Sequence, residues 1–136
     1  MNKAIEQDAT HFLRQSLRGN AFFSTASGLL FTVASGAIAE FLGGMPSILV
    51  AVVGGQLLLF AGALFWLASR PEISTQLVIA VIVADILWVV GTIVVVYVDL
   101  FTRDGAALAI VLASVVLLLA ILQSIGVRRM SGSEAA

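Results

Sequence analysis

The sequence has no cysteine, and histidine and lysine occur only once each, as His11 and Lys3. Without cysteine, the chain has no disulfide, thiolate metal site or thiol nucleophile. A single histidine excludes a histidine-based zinc site, a bis-histidine haem and a Ser-His-Asp triad in an apolar segment of one chain. The only lysine lies outside the apolar runs, so no buried Schiff base is available. We therefore expect no enzymatic activity, no cofactor and no metal.

Charge is scarce as well. Charged residues make up 11% of the chain, against roughly a quarter in soluble proteins, whereas 60% of the residues are hydrophobic. The mean hydropathy is +1.11. A net charge of −1 gives no broad basic surface for nucleic acid. This composition is typical of an integral membrane protein.

The apolar residues are concentrated in four runs, at 21–42, 48–68, 77–98 and 106–127. Each run has the roughly 20 residues that a helix needs to cross a hydrocarbon core about 30 Å thick. Short connections exclude a closed barrel, so the spans are helices joined in up-down order. We predict an all-α, four-transmembrane-helix bundle. A short polar tail, residues 128–136, follows it, and no separate aqueous domain is expected.

The distribution of lysine and arginine predicts the orientation. The loop 43–47 has neither residue, and the loop 99–104 has only Arg103, whose charge is offset by Asp99 and Asp104. The remaining basic residues flank the opposite ends of the spans: Lys3, Arg14, Arg18, Arg70, Arg128 and Arg129. Because positive residues favour the cytoplasmic side, both termini are predicted to be cytoplasmic. We expect a multi-pass protein of the inner (plasma) membrane, in a bacterial cell.

Residues 1–20 are predicted to form a short amphipathic interfacial helix. Apolar side chains such as Phe12 and Leu17 fall on one side, and Arg14 and Arg18 fall on the other. The two arginines are candidates for lipid-headgroup contacts, and the alternative is a lead-in that only anchors the first span. The pattern Ala-Ile-Ala at 37–39 also fits a signal-peptide cleavage site, but the apolar run continues to Leu42, so we expect the span to be retained.

Asp85, near the middle of the third span, is the residue that points most directly to function. An ionisable group at that depth is costly and by default marks a functional site. No lysine, arginine or histidine lies within any span. The carboxyl group is therefore either neutral and hydrogen-bonded, or ionised and facing water or a bound cation.

Other polar residues are predicted to lie near Asp85. Counting each span from its own boundary puts Gln56, Ser114 and Thr32 at a similar depth, and helical spacing puts Thr92 and Trp88 near Asp85 on span three. The candidate ligand or proton site is therefore Asp85, Gln56, Ser114, Thr92, Trp88 and Thr32. Asp99 and Glu40 are the candidate outer mouth.

Two functions remain open. In the first, the candidate site around Asp85 binds or passes a small cation, a proton or an amphipathic ligand. In the second, the same polar residues only set helix packing in an accessory or assembly subunit. Small residues at four-residue spacing in span one, including Gly28 and Gly36, form either a dimer seam or a packing face within the bundle. The expected partners are the lipid bilayer and either a second copy of the chain, in a homo-oligomer, or a larger membrane protein.

In size, the chain resembles the small multidrug resistance transporters, and Gly-Ala-Ile-Ala-Glu at 36–40 is similar to their glutamate-bearing first helix. The resemblance covers only these residues and would imply that Glu40 is the essential carboxylate. In that family the glutamate lies at mid-membrane depth, whereas Glu40 is near the outer end of its span. Six of the seven lysines and arginines also lie on the predicted inner side, so we assign no family.

Overall fold

The computed structural model describes residues 2–135, and all regular secondary structure in that range is helical. Its five helices are α1 (Asn2–Val33), α2 (Ser35–Leu42), α3 (Ser47–Ser69), α4 (Thr75–Tyr97) and α5 (Arg103–Ala135). The prediction of an all-α protein is confirmed.

Three helices, α3, α4 and α5, are long and apolar enough to cross a membrane, and α1 with α2 adds a fourth candidate if the bent pair counts as one span. The predicted spans 48–68, 77–98 and 106–127 correspond to α3, α4 and α5, although α5 continues well beyond its predicted end. Long helices that expose large apolar side chains satisfy their backbone internally, as lipid requires. These helices indicate a membrane-embedded protein.

The first predicted span is divided differently in the structure. α1 is continuous from residue 2 to residue 33, and the chain then bends by 90° into α2. The predicted boundary between an interfacial helix 1–20 and a straight span 21–42 is therefore not a helix boundary. Leu13, Leu17 and Ala21 are all fully buried, so one packing face runs through both predicted segments. The bend lies beside Ser35 and Gly36, a residue pair typical of helix kinks.

α1 lies at the centre of the bundle, with α3 on one side and α5 on the other, while α4 packs against α5. Gly28 and Gly54 allow α1 and α3 to approach closely, since a Cβ atom on Gly28 would lie 2.9 Å from the Gly54 carbonyl oxygen. Gly28, one of the small residues at four-residue spacing in span one, therefore serves helix packing within the chain.

α1 and α5 run antiparallel. Leu13 lies against Gly126 near one end, and Gly19 lies against Leu119 further along. We call the end that contains Leu13 and Gly126 the terminal end, and the end that contains α2 the loop end.

Each end is fastened by hydrogen bonds to the backbone. At the terminal end, the Arg14 guanidinium donates to the carbonyl oxygens of Ala68, Arg70 and Pro71, where α3 finishes. A cation there also stabilises the C-terminal end of the helix dipole. At the loop end, the Thr102 backbone N–H donates to the Leu42 carbonyl oxygen at 2.8 Å, which fixes α2 against the connection between α4 and α5.

Although α3 and α4 are consecutive, they share no extensive contact among the described residues. Near the terminal end, Leu64, Leu67, Ile73 and Val78 belong to one buried cluster. Towards the loop end the two helices leave a groove between them, with α1 and α5 as its floor. This groove positions the candidate site.

Candidate functional site

Asp85 lies on α4, facing α1, and its side chain is buried, with 4% of the residue's surface exposed. The Asn20 Nδ2 atom donates a hydrogen bond to Asp85 Oδ2 at 2.7 Å. The Ser24 Oγ atom, one turn further along α1, donates to Asn20 Oδ1 at 3.3 Å. Asn20 and Ser24 are also buried. This chain of two hydrogen bonds joins α1 to α4, which share no extensive contact elsewhere in the described chain.

The second carboxyl oxygen of Asp85 receives no hydrogen bond from the described residues. No arginine, lysine or histidine in residues 2–135 forms an ion pair with this carboxyl group. On α1, Arg14 is already bound to backbone carbonyl oxygens at the end of α3, and Arg18 is exposed. Asp85 therefore retains the capacity to accept a hydrogen bond from another molecule, or to pair with its positive charge.

Asp85 borders a cavity of about 240 Å³ between α1, α3, α4 and α5. The polar side chains that line it converge from three helices: Asn20, Ser24 and Ser27 from α1, Gln56 from α3, and Asp85 from α4. Its remaining lining is aromatic or aliphatic, and includes Phe23, Phe60 and Trp88. Mostly apolar walls with a few converging polar groups are the usual composition of a small-molecule site.

A second cavity, of about 380 Å³, adjoins the first towards the loop end. Phe31, Trp88 and Leu112 line both cavities, so the two are neighbouring parts of one groove. Among the lining residues of the second cavity, only Trp88, which is shared with the first cavity, and Thr92 carry a side-chain N–H or hydroxyl group. The Thr92 hydroxyl already donates to the Trp88 carbonyl oxygen at 2.9 Å. The second cavity is therefore apolar.

The structure brings together some of the predicted site residues and separates others. Gln56 and Trp88 line the same cavity as Asp85, and Thr92 lines the neighbouring one. Thr32 and Ser114 line neither cavity, and each hydroxyl donates to a carbonyl oxygen of its own helix, four residues earlier. A hydroxyl bonded in this way needs no partner on another helix. The group of polar residues around Asp85 therefore does not include Thr32 and Ser114.

The other predicted residues lie apart from the two cavities. Glu40 is exposed on α2, and Asp99 is exposed just after α4, with φ of 60°. Neither lines the groove. Arg18 is exposed on α1, whereas Arg14, predicted to contact lipid headgroups, donates instead to the carbonyl oxygens at the end of α3.

Sequence reasoning missed Asn20, the hydrogen-bond partner of Asp85. The predicted first span begins at residue 21, which left Asn20 outside the membrane by one residue. The available signal was the four-residue spacing of Ser16, Asn20 and Ser24, which places three polar side chains on one face of a helix. All three are buried.

Gln123 on α5 was also missed. Its side chain is completely buried, and neither the amide nitrogen nor the amide oxygen has a hydrogen-bond partner. Leu112 and Val116, which line the first cavity, precede it by eleven and seven residues on the same face of α5. Gln123 therefore lies below the cavity floor, on the terminal side.

In residues 2–135, no three side chains of histidine, aspartate or glutamate are grouped closely enough to hold a metal ion. The chemistry that this site supports is recognition of a donor or a cation by a single carboxyl group in an apolar groove.

Comparison with protein families, with characterised proteins and with solved structures finds no match to this chain.

Proposed function

We propose that this membrane protein binds a small organic cation in the groove between α3 and α4, with Asp85 as the acceptor for its charged group. The observation that carries the proposal is the cavity of about 240 Å³ bordered by a buried carboxyl group that has no basic partner among the described residues. The proposed activity is binding or passage of the ligand, without chemical conversion.

Two features beside Asp85 favour a cation over a neutral ligand. An ionised carboxyl group in an apolar site is costly unless a positive charge accompanies it, and a cationic ligand would supply that charge. Trp88 lies one helical turn from Asp85 and lines the same cavity. The face of an indole ring attracts a cation, most strongly where water is excluded.

Direct binding of benzylammonium to the purified protein in detergent tests this proposal. Asp85→Asn keeps the size of the side chain and an oxygen that accepts from Asn20, but removes the charge. We expect at least about tenfold weaker binding, because a hydrogen bond to a charged group contributes about 1.5–3 kcal/mol. Asp104→Asn is the matched control, since this aspartate is exposed in the first turn of α5 and lines neither cavity.

Equal affinity of the wild type and a folded Asp85→Asn variant would contradict the proposal. It would favour the second candidate, an accessory or assembly subunit in which the polar groups only fix helix packing. The hydrogen bond from Asn20 to Asp85 specifically supports that candidate, because it joins two helices that otherwise share no extensive contact in the described chain.

A further inference from the structure

We infer that the ligand of this groove is a single-chain cationic amphipath, with its head at Asp85 and its alkyl tail in the second cavity. This inference rests on the proposed function and adds the class of ligand. A compact cation would need only the first cavity. Three features of the second cavity favour a tail: its low polarity, its length and the direction in which it opens.

The two cavities differ in polarity along one continuous groove. Five polar side chains line the first cavity, whereas the second has only the Thr92 hydroxyl, which is already hydrogen-bonded to its own helix, and the indole N–H of Trp88, which lines both cavities. The second cavity is also the larger, at about 380 Å³ against 240 Å³. A polar compartment followed by a larger apolar one matches a molecule with a small head and an apolar tail.

The length of the groove sets the length of the tail. Asp85 borders the first cavity and Val95, ten residues later on α4, lines the second. At about 1.5 Å per residue, this separation is about 15 Å along the helix. An extended methylene group spans about 1.25 Å, given C–C bonds of about 1.5 Å at tetrahedral angles. The groove therefore accommodates about 12 carbons.

The second cavity opens sideways onto the face of the bundle that meets lipid. Leu49 on α3 and Leu87 on α4 both line it, yet they are 54% and 65% exposed. An opening bordered by exposed leucines admits an alkyl chain that is already dissolved in the bilayer. A molecule that partitions into lipid through its tail, and presents a cationic head to Asp85, fits this route.

Binding of n-butylammonium and n-dodecylammonium to the full chain in phosphatidylcholine nanodiscs tests the inference. Gly91 lines the second cavity, and a Cβ atom at this position would meet nothing within 4 Å. Gly91→Leu therefore fills the tail compartment without a backbone clash. We expect at least tenfold weaker binding of n-dodecylammonium and unchanged binding of n-butylammonium. Comparing variants in the same nanodiscs cancels partitioning of the amine into lipid.

Gly62→Leu is the matched control. Gly62 lies on α3, has equally open space around a Cβ atom and lines neither cavity, so both amines should bind as they do to the wild type. If Gly91→Leu does not fold, Leu108→Trp fills the same compartment from α5.

Asp85→Asn separates failure of this inference from failure of the proposed function. If Asp85→Asn weakens n-butylammonium binding but Gly91→Leu leaves n-dodecylammonium binding unchanged, the tail compartment is overturned and the proposed function stands. Equal weakening of both amines by Gly91→Leu also overturns the tail compartment. If Asp85→Asn affects neither amine, the proposed function fails and the inference fails with it.

Discussion

At the scale of single residues, the site depends on which buried polar groups have partners. Asp85 is tied to Asn20, and Asn20 is tied to Ser24, whereas both polar atoms of the Gln123 amide are unpartnered. A buried amide without hydrogen bonds costs free energy that a hydrophobic side chain of similar shape would not. The buried amide of Gln123 therefore lowers the stability of the described bundle.

Gln123→Met should stabilise the protein. Methionine has a similar length and no amide, so the variant avoids the cost of about 1–3 kcal/mol for an unsatisfied buried polar group. A higher midpoint of thermal unfolding in detergent would confirm this. Gln76→Met, at an exposed position on α4, is the control and should leave the midpoint unchanged. A lower midpoint for Gln123→Met would mean that the amide stabilises the fold through a partner of its own.

Asp85 and Trp88 were predictable from sequence because helical spacing places them together inside a long apolar run, and Gln56 was included because its depth is similar. Asn20 was not predictable, since the first apolar run begins at residue 21 although the packing face of α1 continues back to Leu13. Thr32 and Ser114 were included on depth alone. Depth cannot distinguish a hydroxyl that points to another helix from one that bonds to its own backbone.

At the scale of helices, hydropathy locates α3 and α4 well because each coincides with one long apolar run, whereas α5 continues through the polar residues after 127, which hydropathy assigns to a tail. The division between α1 and α2 was missed, since Ala34 interrupts the helix without interrupting the run of uncharged residues. The close contact between α1 and α3 also depends on glycines, which have no side chain to separate the two helices. Adjacent glycines in α3 differ sharply in what surrounds them.

Gly54→Ala should destabilise the bundle, whereas Gly55→Ala should not. A Cβ atom on Gly54 would lie 2.7 Å from the Thr32 backbone nitrogen and 2.9 Å from the Gly28 carbonyl oxygen, so α1 and α3 would have to separate. Overpacking of this kind costs about 1–3 kcal/mol. The same substitution at Gly55 meets nothing within 4 Å and gains helix propensity.

Thermal unfolding of the two alanine variants in one detergent provides the comparison. A lower midpoint for Gly54→Ala alone is the expected result. Equal midpoints for the two variants would mean that the close approach of α1 to α3 does not limit stability.

At the scale of the whole molecule, the bundle is open along one side, because α3 packs on α1 and α4 packs on α5 while the groove separates them. This openness is not predictable from four apolar runs, since hydropathy gives the number of helices and not their neighbours. A closed bundle with the same spans would have had no room for a ligand beside Asp85.

The absence of cysteine allows this openness to be tested with single introduced thiols. Gln56→Cys places a thiol in the polar cavity, whereas Leu59→Cys places one on the outer face of α3, where the leucine is 78% exposed. We expect a small cationic methanethiosulfonate reagent to modify the first and not the second, because thiolates form in water and not in lipid. Mass spectrometry after timed exposure gives the modification rates of both thiols, and equal rates would contradict a polar cavity beside Gln56.

The right-angled turn at Ala34 limits how the proposed ligand would reach the groove. α2 lies across the loop end, where Ile38 and Leu42 help to line the second cavity, and Thr102 fastens Phe41 and Leu42 in place. This short helix covers the second cavity at the loop end. If the proposed ligand binds here, it would arrive and depart sideways between α3 and α4, so its residence time should respond to the thickness and fluidity of the surrounding bilayer more than to the composition of the aqueous phase.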